Sequence, residues 1–92
     1  MLPQTPNDPQ ALALAALAAT LTDERRAMRF LDLTGIGTDE LRRSADHPVL
    51  LSALIRFLEA HEPDLLAVSE QIGLNAAALG SARRALEGPS EE

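Results

Sequence analysis

In Leu31-Asp32-Leu33-Thr34-Gly35-Ile36-Gly37-Thr38-Asp39-Glu40-Leu41-Arg42-Arg43, an apolar helix end runs into Gly-Ile-Gly and a new helix opens at once on Thr38. Such a segment makes a tight corner between two helices. Gly35 stands where a helix stop needs positive φ, a conformation that costs glycine almost nothing. Ile36 takes the position that folds back on the last apolar turn, onto Phe30 or Leu31. Gly37 lets the backbone turn again. Thr38 supplies a capping hydroxyl, and Asp39 and Glu40 suit the positive end of the next helix's dipole. The same corner supports a second reading, because amides at a glycine-rich turn and a helix N-terminus can cradle a phosphate. Gly35, Ile36, Gly37, Thr38, Arg42 and Arg43 are therefore a candidate phosphate site.

On the N-terminal side of this corner, residues 1–8 read as a flexible tail, with Asp8 as a cap and Pro9 in the first turn of a helix over 9–21. That helix is apolar nearly all round and is expected at the centre, covered by its neighbours. Thr22 is expected to cap a second helix with an inner stripe of Ala27, Phe30 and Leu31, and Met28 beside it. Arg25, Arg29 and Asp32 line its outer face, with Arg29 and Asp32 spaced to pair.

On the C-terminal side, a short third helix from Asp39 to about Ala45 has Leu41 and Ala45 as anchors. Asp46 is expected to cap a fourth helix, with Pro48 in its first turn. Leu50, Leu51, Leu54, Ile55, Phe57 and Leu58 give that helix a wide apolar face opposite Ser52, Arg56 and Glu59. It stops near His61, because Pro63 disfavours helical geometry in the residue before it. A fifth helix begins around Pro63 and carries Leu65, Leu66, Val68 and Ile72. Gly73 ends it, Leu74 tucks back, and Asn75 caps a sixth helix that uses Leu79, Ala82 and Leu86 and closes at Gly88-Pro89. Gly35-Ile36 with Leu41 is thus echoed by Gly73-Leu74 with Leu79, through shared corner physics. Residues 89–92 read as a flexible acidic tail, leaving 9–88 as a single helical domain.

Composition agrees with this reading. Hydrophobic residues make up 46% of the 92 but aromatics only 2%, Phe30 and Phe57, so the core must be built from Leu and Ala, both strong helix formers. No run alternates in the way a strand requires. The expectation is an all-α, compact single-domain bundle of five to six short helices with glycine-containing corners. Net charge is -6, from 14 acids and 8 bases, and every base is Arg. An acidic surface repels nucleic acid and anionic membrane on average. The absence of cysteine removes disulfides, thiolate metal sites and thiol nucleophiles. The longest apolar run, residues 11–19, falls far short of the ~20 residues of a membrane span. The preceding segment has no basic residue, as a signal peptide would need. A cytoplasmic protein is expected.

Several constellations touch on chemistry. Leu33, Gly35-Ile36-Gly37 and Leu41 resemble the helix–hairpin–helix family of DNA-backbone binders. The pattern departs from that family at Asp39 and Glu40, whose carboxylates would compete with phosphate for the turn amides; Arg42 and Arg43 follow one turn later. Residues 65–86 fit a helix–turn–helix through Val68, Ile72, Gly73, Leu74, Leu79 and Ala82, but the first turns of the reading helix, from Asn75, offer mainly alanine to the bases. His47 and His61 stand roughly 21 Å apart along the fourth helix and cannot share a metal. His61-Glu62-Pro63-Asp64 lacks the two-histidine spacing of zinc sites. Ser44 with Asp46-His47 has no nucleophile elbow. No catalytic residue, cofactor or metal is expected. The doublets Arg25-Arg26, Arg42-Arg43 and Arg83-Arg84 would make an anion patch if folding joined two of them.

Across most of residues 10–88 the chain resembles a small alphaproteobacterial domain-of-unknown-function family (DUF3572-like). The resemblance rests on Arg29 to Gly37 followed by Asp39-Glu40-Leu41-Arg42, on Pro48 to Leu66 with its acidic break at Glu62 to Asp64, and on Gly73-Leu74 leading to the Ala-Arg-rich last helix. It implies a compact helical fold and a cytoplasmic location, and brings no site. The leading expectation is a non-catalytic module that binds another protein or itself, with helices 1 and 4 donating the exposed apolar patch. The alternative is weak phosphate-backbone binding through the Gly35–Gly37 turn.

Overall fold

The computed structural model describes residues 8–88 and contains six α-helices with no strand among them: α1 (Pro9–Leu21), α2 (Glu24–Thr34), α3 (Thr38–Ser44), α4 (Pro48–Glu59), α5 (Glu62–Ile72) and α6 (Ala76–Glu87). Of the tails expected at 1–8 and 89–92, all but Asp8 lie outside the described residues. Helices α1, α4 and α6 pack on one another, with α5 and α2 laid against them. The core runs through Ala13, Ala16 and Leu17 of α1, Phe30 of α2, the whole inner face of α4, Val68, Leu79 and Ala82. Alanines on α1 let its neighbours approach closely. Phe30 meets Phe57 edge-on at 5.4 Å, which fixes α2 against α4.

Both glycine corners form as the sequence requires. Gly35 (φ 74°) and Gly73 (φ 76°) are left-handed stops. The Leu74 amide reaches back to the Ser69 carbonyl at 2.9 Å, the long bond of a Schellman ending. Asp8 and Asn75 cap α1 and α6 through their side chains.

Three caps differ from expectation. Asp23, not Thr22, caps α2, accepting from the Arg26 amide at 3.1 Å. Thr22 instead closes α1, its hydroxyl donating to the Ala19 carbonyl at 2.7 Å. That carbonyl also accepts from the buried Arg26 guanidinium at 2.9 Å, so a cation sits on the negative end of α1. His47, not Asp46, caps α4, its Nδ1 accepting from the Val49 amide at 3.1 Å. The Asp46 carbonyl is held by the Gln10 side chain, which ties the start of α1 to this loop. Gly37 occupies the cap position of α3, and Thr38 lies inside the helix without a side-chain cap bond.

Tertiary packing also reassigns faces. Arg29 pairs with Asp64 of α5 rather than with Asp32, and its guanidinium lies 5.8 Å from the Phe57 ring centre. Ser52, expected on the outer face of α4, is buried and donates to Glu87 at 2.7 Å. Leu66, expected in the core, faces out. Helix α1 is not covered all round: Ala11, Ala15 and Ala18 leave one face to solvent. All six apolar residues expected on the inner face of α4 are buried.

Candidate functional site

The turn read as a phosphate site does not present a row of free amides. The Thr34 hydroxyl donates to the Phe30 carbonyl at 2.8 Å and accepts from the Ile36 amide at 3.3 Å. The Gly35 amide is bonded to the Leu31 carbonyl. Ile36 packs against the core. Gly37 and Thr38 are exposed, but Asp39 and Glu40 fill the first turn of α3, while Arg42 and Arg43 stand in its last turn. This is the order that suits the helix's own dipole and is the reverse of what an anion at its start needs. Arg42 lies 3.8 Å from Asp39, both almost fully exposed.

The arginine doublets act singly. Arg26 is buried on the end of α1; Arg83 donates to Glu59 at 2.6 Å and to Glu87 at 3.2 Å; Arg84 donates to Ser81. Glu87 collects three donors, from Ser52, Arg56 and Arg83. The Ser52 hydroxyl first, and the Arg56 guanidinium second, hold its carboxyl below the ordinary glutamate value of 4.5. The Arg26 amide does the same for Asp23, whose ordinary value is 3.8. These contacts staple α6 to α4 and shape the start of α2. The helix–turn–helix pattern is accounted for in the same way: Leu79 and Ala82 of α6 are buried in the core, against α1 and α4.

His61 lies 3.1 Å from Asp64 and 3.5 Å from Arg29. Among the described residues there is no cluster of three His, Cys, Asp or Glu able to hold a metal. Ser44, Glu40 and His47 do line one cavity together. The His47 Nδ1, however, accepts from the Val49 amide as the cap of α4, so in the neutral ring it is Nε2 that carries the proton.

What the fold assembles instead is a groove along the outward side of α4. One part, about 550 Å³, lies under α3 and is bordered by Ile36, Glu40, His47, Val49 and Leu50. A second part, about 410 Å³, lies under α2 and is bordered by Arg29, Leu33, Arg56, Phe57 and His61. Thr34 and Ala53 border both, so the two parts adjoin. Leu33 and Val49, each 71% exposed, stand on the rim and are the most exposed large apolar side chains among the described residues. Sequence reasoning placed Leu33 in the hairpin pattern and passed over Val49 and Ala53. The signal was present in the spacing: Val49, Ala53, Phe57 and Ala60 follow one another by four, four and three residues, a second apolar stripe that shares Phe57 with the inner one.

A family model described as protein of unknown function (DUF3572) matches residues 6–89. No curated protein and no solved structure matches the chain. Among the described residues, no helix is long and apolar enough to cross a membrane.

Proposed function

The chain belongs to the DUF3572 family, and on that premise we propose that it is a non-catalytic helical module that docks a protein partner in the groove between α2, α3 and α4. One observation carries this reading. Two adjoining, largely apolar hollows are bordered by Leu33 and Val49, the most exposed large apolar side chains among the described residues. Leaving them in water forgoes about 1.5–3 kcal/mol of burial each, a disadvantage that a covering partner reverses. Within α4 the groove is lined by Val49, Ala53 and Ala60, together with the edges of Leu50 and Phe57.

The phosphate-backbone reading draws less support, because the Ile36 amide is already engaged and two carboxylates crown the start of α3. A gel-shift series at rising salt tests it, and binding at low salt that Gly37→Asp abolishes would favour it. The groove reading is tested by a photo-crosslinking side chain at position 33, compared with one at the exposed Ala77. Protein adducts at 33 that are absent at 77 are the expected result. Equal labelling at both positions, or none at 33, overturns the reading.

A further inference from the structure

We infer that the occupant of this groove is a second copy of the same chain, seated about a twofold axis; the inference rests on the groove reading above. Leu33 projects from the α2 wall as a knob, and the α3 part of the groove, floored by Leu50 and Ala53, is a hole of about 550 Å³ beside it. A twofold axis near Thr34 and Ala53 places each Leu33 over the other copy's hole, reciprocally, as an isologous contact requires. Ala53, at the middle of the stripe, carries only a methyl group and lets the two α4 helices come close. The same operation brings Val49, four residues before Ala53, towards the other copy's Phe57, four residues after it.

Charge then selects the same pairing. Arg29 lies one turn before Leu33 on the same face of α2, and Arg56 lines the same end of the groove. Among the described residues Glu40 is the one carboxylate that lines the groove, and it stands at the other end. Rotation about Ala53 lays each Glu40 near the other copy's Arg29. Arg29 is 41% exposed despite its pairing with Asp64, so its guanidinium has free N–H groups for a second carboxylate. A chain of net charge -6 repels its own copy on average, and although Arg29 and Arg56 are each paired within the chain, to Asp64 and Glu87, setting Glu40 against Arg29 offsets part of that repulsion where the surfaces meet.

Sedimentation equilibrium of the full chain, at concentrations up to roughly 1 mM, reads the inference directly. The expected result is a species of twice the 9.8 kDa chain mass. Leu33→Asp and Val49→Asp, both at exposed positions, should weaken the dimer at least tenfold (about 1.4 kcal/mol), with the helical circular dichroism unchanged. Glu40→Arg should weaken it further at low salt than at high salt. A strictly monomeric chain overturns the inference, and so does a dimer indifferent to Leu33→Asp. Foreign-protein adducts at position 33 on a monomeric chain would retain the groove and reject the second copy.

Discussion

Replacing Gly80 by alanine is expected to stabilise the fold, and the sign can be worked from the structure. Gly80 is buried in the middle of α6, where glycine costs a helix about 1 kcal/mol relative to alanine. A Cβ added there meets the Glu59 carboxylate at 3.2 Å and the Arg84 guanidinium at 3.6 Å, with no backbone of another element within 4 Å. The first contact is tight by a few tenths of an ångström, but its atom is the tip of a flexible side chain. Moving it disturbs the Glu59–Arg83 pair, which is partly exposed and shared with Glu87. That disturbance is worth about 0.5 kcal/mol. The net gain is therefore about 0.5 kcal/mol, or a rise in Tm of about 2–4 °C for a domain of this size. Urea unfolding followed by circular dichroism measures it. The double variant with Glu59→Ala separates the two contributions, and there Gly80→Ala should recover the full gain of about 1 kcal/mol. A loss of stability in both backgrounds would show that α6 approaches α4 too closely for any methyl group, and would refute the reasoning.

Three further outcomes are expected. Phe30→Ala removes a fully buried ring and its edge-on contact with Phe57, and should cost about 3–5 kcal/mol in denaturant unfolding; a cost under about 1 kcal/mol would mean that the α2–α4 contact contributes little. Arg26→Met keeps the buried stem but removes the donor to the Ala19 carbonyl, and should cost about 2 kcal/mol by the same assay; an unchanged midpoint would show that Thr22 alone satisfies that carbonyl. Asp23 and Glu87 both hold their carboxyls below the ordinary 3.8 and 4.5, so the unfolded chain binds these protons more readily than the folded one. Their stabilisation is complete above those values and drains as the pH falls through the lower folded ones. Tm should hold from about pH 7 to 5 and then drop, and the drop should be shallower in the Asp23→Asn, Glu87→Gln double variant; an identical acid limb would place the effect elsewhere.

The groove and the staple that holds it rest on long-range pairing. Glu87 joins Ser52 and Arg56 across 35 and 31 residues. Arg29 finds Asp64 on another helix instead of Asp32 one turn away. Helical spacing names the neighbours available within one helix, and a neighbour on another helix competes with them once the chain is folded. The cap assignments moved for a related reason. Thr22 and Asp46 are sound caps in isolation, but each was claimed by a different bond, Thr22 by the end of α1 and the Asp46 backbone by Gln10.

Local chemistry alone was enough for the helices and their stops. Leucine and alanine at helical spacing, proline in the first turn of α1, α4 and α5 and glycine at positions 35 and 73 dictate six short helices and two left-handed corners. These outcomes depend on backbone preferences within a few residues, which any chain carrying them would express. Helix packing alone decided which of two apolar stripes on α4 went inside and which became the floor of a groove. Both stripes satisfy the same periodicity, and only the closing of α1 and α6 over one of them leaves the other, with Leu33 and Val49, at the surface.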